Sequence, residues 1–316
     1  MDKKDLLNNF FQYKGESFIA DYYPKNTDSI IVTFKTYNKR RPHQQAEMGW
    51  NINFLIDKNI SIIAIIPKTN NWYRGKDLQD FMESKFFKGL LAKYRRHLFA
   101  GTSMGGFGAL VFSSIVNDAE VLVFSPQSTI CKDIDVRCDE AFKQDWTGNF
   151  SDASKLYLNK VFIIYDYFNE IDRKHAARIV GANVTHLHFN YVGHSVMGFM
   201  QDANVFNDLI TLFLNNNLNT NSFKIIKESR KSSKKYQLKK IDYLIKHGYY
   251  DQAIILSDTF EKRYDLADVY RDNAIRLEKE DIKTSLKLME HAYKIRKGNF
   301  IKTKLESYSR IVTDTR

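Results

Sequence analysis

Six short runs of β-branched and apolar residues recur up to residue 192: SIIVTF (29–34), ISIIAII (60–66), HLFAG (97–101), EVLVF (120–124), VFIIY (161–165) and THLHFNYV (185–192). A run that is apolar on both faces suits a strand buried under helices on either side, the situation of a parallel sheet. Between these runs the spacing of apolar residues turns helical, over 43–57, 77–95, 105–117, 172–180 and 201–215. Strand alternating with helix restricts the fold to the α/β class, with a mostly parallel sheet flanked by helices.

The pattern changes after the lysine-rich stretch KIIKESRKSSKKYQLKK (224–240), beyond which no strand-like run occurs. The division expected is an α/β domain over 1–220, a basic linker over 221–234 and an all-α region over 235–316. Within that region, IDYLIKHGYYDQAIILSDTF and ADVYRDNAIRLEKEDIKTSLKLMEHAYKIRKGN share a helix, a short polar turn and a second helix. Their spacing approaches the roughly 34-residue period of tetratricopeptide repeats, which this tail resembles. A plain helical bundle fits the same pattern.

The chemistry concentrates in FAGTSMGGFGALVF (99–112), where Gly101-Thr102-Ser103-Met104-Gly105 spells G-x-S-x-G between an expected strand and an expected helix. In that context the serine sits on a strained turn, and small residues two positions away on either side let strand and helix approach. The backbone N–H of Met104, at the positive end of the new helix, then faces the place where a substrate carbonyl would gather negative charge. A close-packed turn without chemistry would need the same glycines. The glycines spell neither G-x-G-x-x-G nor a phosphate-binding loop ending in Lys-Ser or Lys-Thr.

A serine hydroxyl needs a histidine to take its proton and a carboxylate to orient that histidine. In strand order, in the GTSMGG elbow and in the GHS turn of NYVGHSVMGF, the first 220 residues resemble the α/β-hydrolase superfamily. The resemblance implies that His194 is the base and that the acid follows VFIIY, in YDYFNEIDRKHA. Asp166, directly after the strand, is preferred to Asp172, which stands where a helix N-cap is expected anyway, and Glu170 is a third choice. The usual superfamily spacing falls near Asn169. The second oxyanion donor is expected just past SIIVTF, from the N–H of Lys35 or Thr36.

More narrowly, VTFKTYN, FSPQST, YDYF…DRKHA and GHS resemble cytoplasmic serine esterases and O-acetyltransferases encoded with bacterial surface-polysaccharide synthesis, such as that of capsules. That likeness implies acyl transfer through an acyl-serine, with acetyl-CoA as donor and a sugar hydroxyl as acceptor. The segment 126–158 stands where hydrolases often carry a cap that limits water access. Trp72 and Tyr73, past another strand, lie at the sheet edge where ligands bind, so they are candidates for stacking on a sugar as well as for packing. His186 and His188 alternate on one strand face and are expected to pack, and His175 is expected on a helix surface.

Composition narrows the remaining classes. The net charge of +11 favours acidic partners in principle, but much of it lies in the 224–240 run, and charge runs are usually solvated faces. With no nucleic-acid motif present, no nucleic-acid partner is expected. Cys131 and Cys138 form neither a disulfide framework nor a zinc pattern, so a reducing compartment is expected and no metal. The N-terminus MDKKDLLNNFFQYKGESF lacks a signal-peptide core, and no stretch approaches a membrane span, which leaves peripheral membrane contact open and points to the cytoplasm. The competing reading from another class is an adaptor: a hydrolase fold with secondary or lost chemistry whose helical tail docks a protein partner.

Overall fold

Every one of the six apolar runs forms a strand, and two further strands precede them in the sheet. The computed structural model describes residues 10–39, 48–137, 141–155, 160–260 and 264–314. It divides into two compact units, Met1–Ile226 and Lys227–Arg316.

The first unit is built on an eight-stranded sheet of order β1-β2-β4-β3-β5-β6-β7-β8. Its strands are β1 (Phe11–Lys14), β2 (Phe18–Tyr23), β3 (Ser29–Phe34), β4 (Ser61–Pro67), β5 (Arg96–Thr102), β6 (Glu120–Phe124), β7 (Lys160–Tyr165) and β8 (Val184–His188). Strand β2 runs antiparallel to both β1 and β4, and the pairs from β4 through β3 to β8 are parallel. This order and this direction pattern are those of an α/β-hydrolase-like fold. Strands β3 to β6 are almost wholly buried, as apolar runs without alternation require.

The parallel register sets Phe34 beside Gly101, Thr102 beside Phe124 and Phe124 beside Ile164. The carboxyl ends of β3, β5, β6 and β7 therefore open onto one edge, where ligands bind in open α/β sheets. Helix α1 (Ile52–Leu55) follows β3, and α2 (Lys76–Glu83) and α3 (Lys85–Leu91) follow β4. The single helix expected over 77–95 is broken at Ser84, which leaves α2 in extended backbone and caps α3 by accepting from the N–H of Phe87. Helix α4 (Met104–Ser113) is buried along its full length, consistent with a helix apolar all round. Helices α5 (Glu170–Ala177), α6 (Val196–Asp202) and α7 (Phe206–Leu214) complete the layers. Of the helix expected over 43–57, residues 52–55 are helical, and 43–47 lie outside the described residues.

Helix α8 (Thr220–Glu228) and a 3-10 turn at Ser229–Ser232 occupy most of the stretch expected as a basic linker, so that stretch is largely helical. The second unit holds α9 (Lys234–Lys246), α10 (Tyr250–Asp258), α11 (Tyr264–Leu277), α12 (Ile282–Ile295) and α13 (Asn299–Asp314). They pack around their own core of Ile241, Ile245, Leu266, Tyr270, Leu288 and Met289. No helix among the described residues is long and apolar enough to cross a membrane.

Candidate active site

Ser103 stands between β5 and α4 with φ 54° and ψ −116°, a backbone conformation that a residue with a side chain adopts only under strain. Two glycines make the turn possible. A Cβ on Gly101 would run into the carbonyl of Gly105, and one on Gly105 would run into the carbonyl of Phe34. The turn lifts the serine side chain into a cavity of about 400 Å³ lined by Thr36, Tyr37, Gln127, Arg137 and His194 among others.

Ser103 Oγ lies 3.0 Å from His194 Nε2, and His194 Nδ1 lies 2.7 Å from Asp172 Oδ1. The histidine ring is partly exposed and the Asp172 carboxylate is fully buried. Hydroxyl, imidazole and carboxylate thus form a continuous line, and the arrangement can pass a proton from the serine to the ring while the carboxylate faces the resulting cation.

The preferred acid, Asp166, does not reach the histidine. Its Oδ2 accepts from the backbone N–H groups of Val192 (2.8 Å) and Gly193 (2.7 Å), and its Oδ1 from that of Phe168 (3.0 Å). Asp166 therefore anchors the loop that carries His194. Asp172 is not the N-cap either: Asn169 caps α5 by accepting from the Asp172 N–H, which places Asp172 in the first turn with its side chain toward His194. Glu170 is exposed and pairs with Lys174 at 2.8 Å.

At the oxyanion side, Met104 is the first residue of α4, where N–H groups have no partner within the helix. The N–H of Lys35 is committed to the carbonyl of Ile65 at 3.1 Å, which removes Lys35 from the two candidates for the second donor. Thr36 lines the cavity beside Ser103.

Trp72 and Tyr73 are 0% and 1% exposed, so neither faces a ligand. Both have positive φ, at 50° and 59°. Trp72 Nε1 donates to Gln127 Oε1 at 2.7 Å, and the Tyr73 hydroxyl donates to the carbonyl of Lys35. Their aromatic mass fills the core beneath the edge. The next residue, Arg74, donates to the carbonyls of Asp145 (2.8 Å), Thr147 (2.7 Å), Asn149 (3.1 Å) and Phe150 (2.6 Å), pinning the segment expected as a cap. Apart from 3-10 turns at Ala141–Lys143 and Ala153–Lys155, the described part of that segment has no helix or strand.

His175 is not on a surface but fully buried. It belongs to a polar cluster beneath the cavity, with Nε2 at 3.1 Å from Asp135 Oδ2 and Nδ1 accepting from the Ser128 N–H at 3.0 Å. Burial alone would raise the Asp135 carboxyl, but hydrogen bonds from His175, Arg137 and Gln127 outweigh it and hold the group well below the usual carboxylate range. Gln127 and Ser128 stand in FSPQST but were given no role from the sequence, and Asp135 and Arg137 lie in the segment expected as a cap, where no motif marks them. For His175 the signal existed: Asp172, His175 and Ala176 share one helical face, and all three are buried. His186 and His188 pack edge-on against Tyr165. Burial pushes His186 below its ordinary value, against the opposing hydrogen bond to the Ile179 carbonyl.

Cys131 is exposed and unpaired, and Cys138 lies outside the described residues. No group of His, Cys, Asp and Glu able to hold a metal ion occurs among the described residues.

No protein-family description and no curated protein matches the chain. Among solved structures, it is similar to the capsule O-acetyltransferase of Neisseria meningitidis serogroup A in complex with caged gadolinium, with 16% identity and a TM-score of 0.44 over 63% of this chain and 93% of that one. It is likewise similar to the esterase Pf2001 of Pyrococcus furiosus, at 16% identity and a TM-score of 0.46 over 68% and 96% of the two chains. A mutant of the Neisseria meningitidis enzyme in complex with CoA is 13% identical, with a TM-score of 0.46 over 67% of this chain and 97% of that chain.

Proposed function

We propose that the chain is a serine-dependent acyl-transfer enzyme, an esterase or an O-acyltransferase. The observation that carries this reading is the unbroken line from Ser103 Oγ through His194 to Asp172 at 3.0 and 2.7 Å, opening into a cavity. Ser103 Oγ attacks the acyl carbonyl while its proton moves to His194 Nε2, and Asp172 faces the imidazolium. The N–H of Met104, with that of Thr36 as second donor, receives the negative charge on the carbonyl oxygen. Collapse of the tetrahedral intermediate expels the leaving group, which takes the proton back from His194 and leaves an acyl-serine. Water or an acceptor hydroxyl then repeats the sequence and frees the serine.

The likeness of VTFKTYN, FSPQST and GHS to polysaccharide-linked enzymes makes acetyl-CoA the proposed donor, a bacterial surface-polysaccharide hydroxyl the proposed acceptor, and the cytoplasm the proposed compartment. Incubation with an activated acetyl ester or acetyl-CoA, followed by acid quenching and peptide mass spectrometry, tests the reading. An acetyl group on the peptide containing Ser103, absent from Ser103→Ala and turned over faster when a glycan acceptor is added, is the expected result. Hydrolysis that persists in Ser103→Ala would overturn it.

A further inference from the structure

Asp172 is buried with one oxygen, Oδ1, on His194 Nδ1, while its Oδ2 has no hydrogen-bond partner. A buried carboxylate so sparsely partnered is costly unless positive charge compensates it. The first turn of α5 contributes part of that charge. Arg137 brings a second positive group near the carboxylate, its Nη1 lying 3.5 Å from Asp172 Oδ1.

Arg137 is itself clamped. Its Nε donates to Asp135 Oδ1 at 2.9 Å and its Nη2 to Asp135 Oδ2 at 2.7 Å, a two-point fork, while its backbone N–H adds a third bond to Oδ1 at 2.9 Å. Asp135, 2% exposed, also accepts from Gln127 Nε2 and His175 Nε2, each at 3.1 Å. Because the Ser128 N–H donates to His175 Nδ1, that nitrogen is the acceptor, and the ring proton sits on Nε2 facing Asp135. Trp72 Nε1 fixes the Gln127 amide the right way round by donating to its oxygen. Among the described residues, Asp172 from α5 is paired with His194, and Arg137 from the segment after β6 and Lys39 after β3 line the cavity that His194 shares.

We propose that Arg137 is the positioning residue of this site: its guanidinium, clamped by the buried Asp135, supplies the charge that seats the Asp172 carboxylate against His194. The proposal rests on the serine-nucleophile reading. It gives the Trp72, Gln127, Asp135 and His175 cluster a purpose, as the mount for one guanidinium.

The test compares the rate of fluorophosphonate labelling and the KM and kcat for p-nitrophenyl acetate in the unmodified chain, Arg137→Ala and Arg137→Lys. The expected result for Arg137→Ala is a labelling rate and a kcat lower by on the order of 10- to 100-fold with KM little changed. Millimolar guanidinium ion should restore much of the loss, a recovery that a merely structural defect would not show. If Arg137→Ala does not fold, Arg137→Lys carries the test: it should still label, but more slowly than the unmodified chain, since the charge remains while the two-point fork to Asp135 is lost. An Arg137→Ala chain that labels as fast as the unmodified one, or whose loss lies in KM alone, overturns the proposal, as does an Arg137→Lys chain as silent as Ser103→Ala. An unmodified chain that takes up no probe brings down the serine reading and this inference together.

Discussion

Two aspartates six residues apart, Asp166 and Asp172, have opposite duties, and local hydrogen bonding explains why. Asp166 spends its carboxylate on three backbone N–H groups, two of them in the loop just before His194. Asp172 spends its own on the imidazole. Asp172→Asn should therefore lower the acyl-transfer rate by on the order of 1,000-fold or more with little effect on the melting temperature. Asp166→Asn should cost about 1–3 kcal/mol of stability, read by urea denaturation, with a smaller loss of rate. Ser103 and His194 were legible because a G-x-S-x-G between strand and helix, and a histidine past the last strand, are positional signals. The acid was ambiguous because all three candidates, Asp166, Glu170 and Asp172, follow the same strand, and only the helix start separates them: capping by Asn169 rotates Asp172 inward. Trp72 and Tyr73 were legible as candidates by their place at the sheet edge, but whether an aromatic faces ligand or core depends on packing that no local pattern encodes.

At the scale of elements, the elbow works through close approach of α4 to β5 and β3. Gly105→Ala would drive a methyl group into the Phe34 carbonyl, which rigid sheet backbone cannot yield. The expected outcome is a loss of about 1–3 kcal/mol in denaturant unfolding together with slower fluorophosphonate labelling, because the helix end carrying the Met104 N–H must move. The parallel strands were legible as continuous apolar runs. Strands β1 and β2 were not: FQYK is exposed along its length, and FIADYY carries Asp21 inside the run, so neither shows a buried-strand signature. The buried cluster around Asp135 was hidden for a similar reason, since it draws on β6's exit, the segment after it and α5 at once.

At the scale of the whole molecule, the second unit has its own core and its own titration. His291 is buried in α12, with Nε2 at 2.8 Å from Ser257 Oγ, and burial lowers its pKa from the ordinary 6.5 while Asp258 opposes the shift. A histidine depressed in the folded state binds its proton more readily once unfolded, so its contribution is intact above pH 6.5 and is lost as pH falls through and below that value. Denaturation of the full chain about one pH unit above and about one below the ordinary value should show acid weakening this unit, and His291→Gln should reduce the difference. The helical character of this tail was legible from its spacing; its repeat family was not, because two loose units share their pattern with a plain bundle.

Acylation of the hydroxyl on the β5 elbow is tested most directly by the site and number of fluorophosphonate adducts on the intact chain. A single adduct on Ser103 is expected, absent from Ser103→Ala and strongly slowed in Asp172→Asn. An adduct on another residue, or labelling of Asp172→Asn at the rate of the unmodified chain, would contradict it.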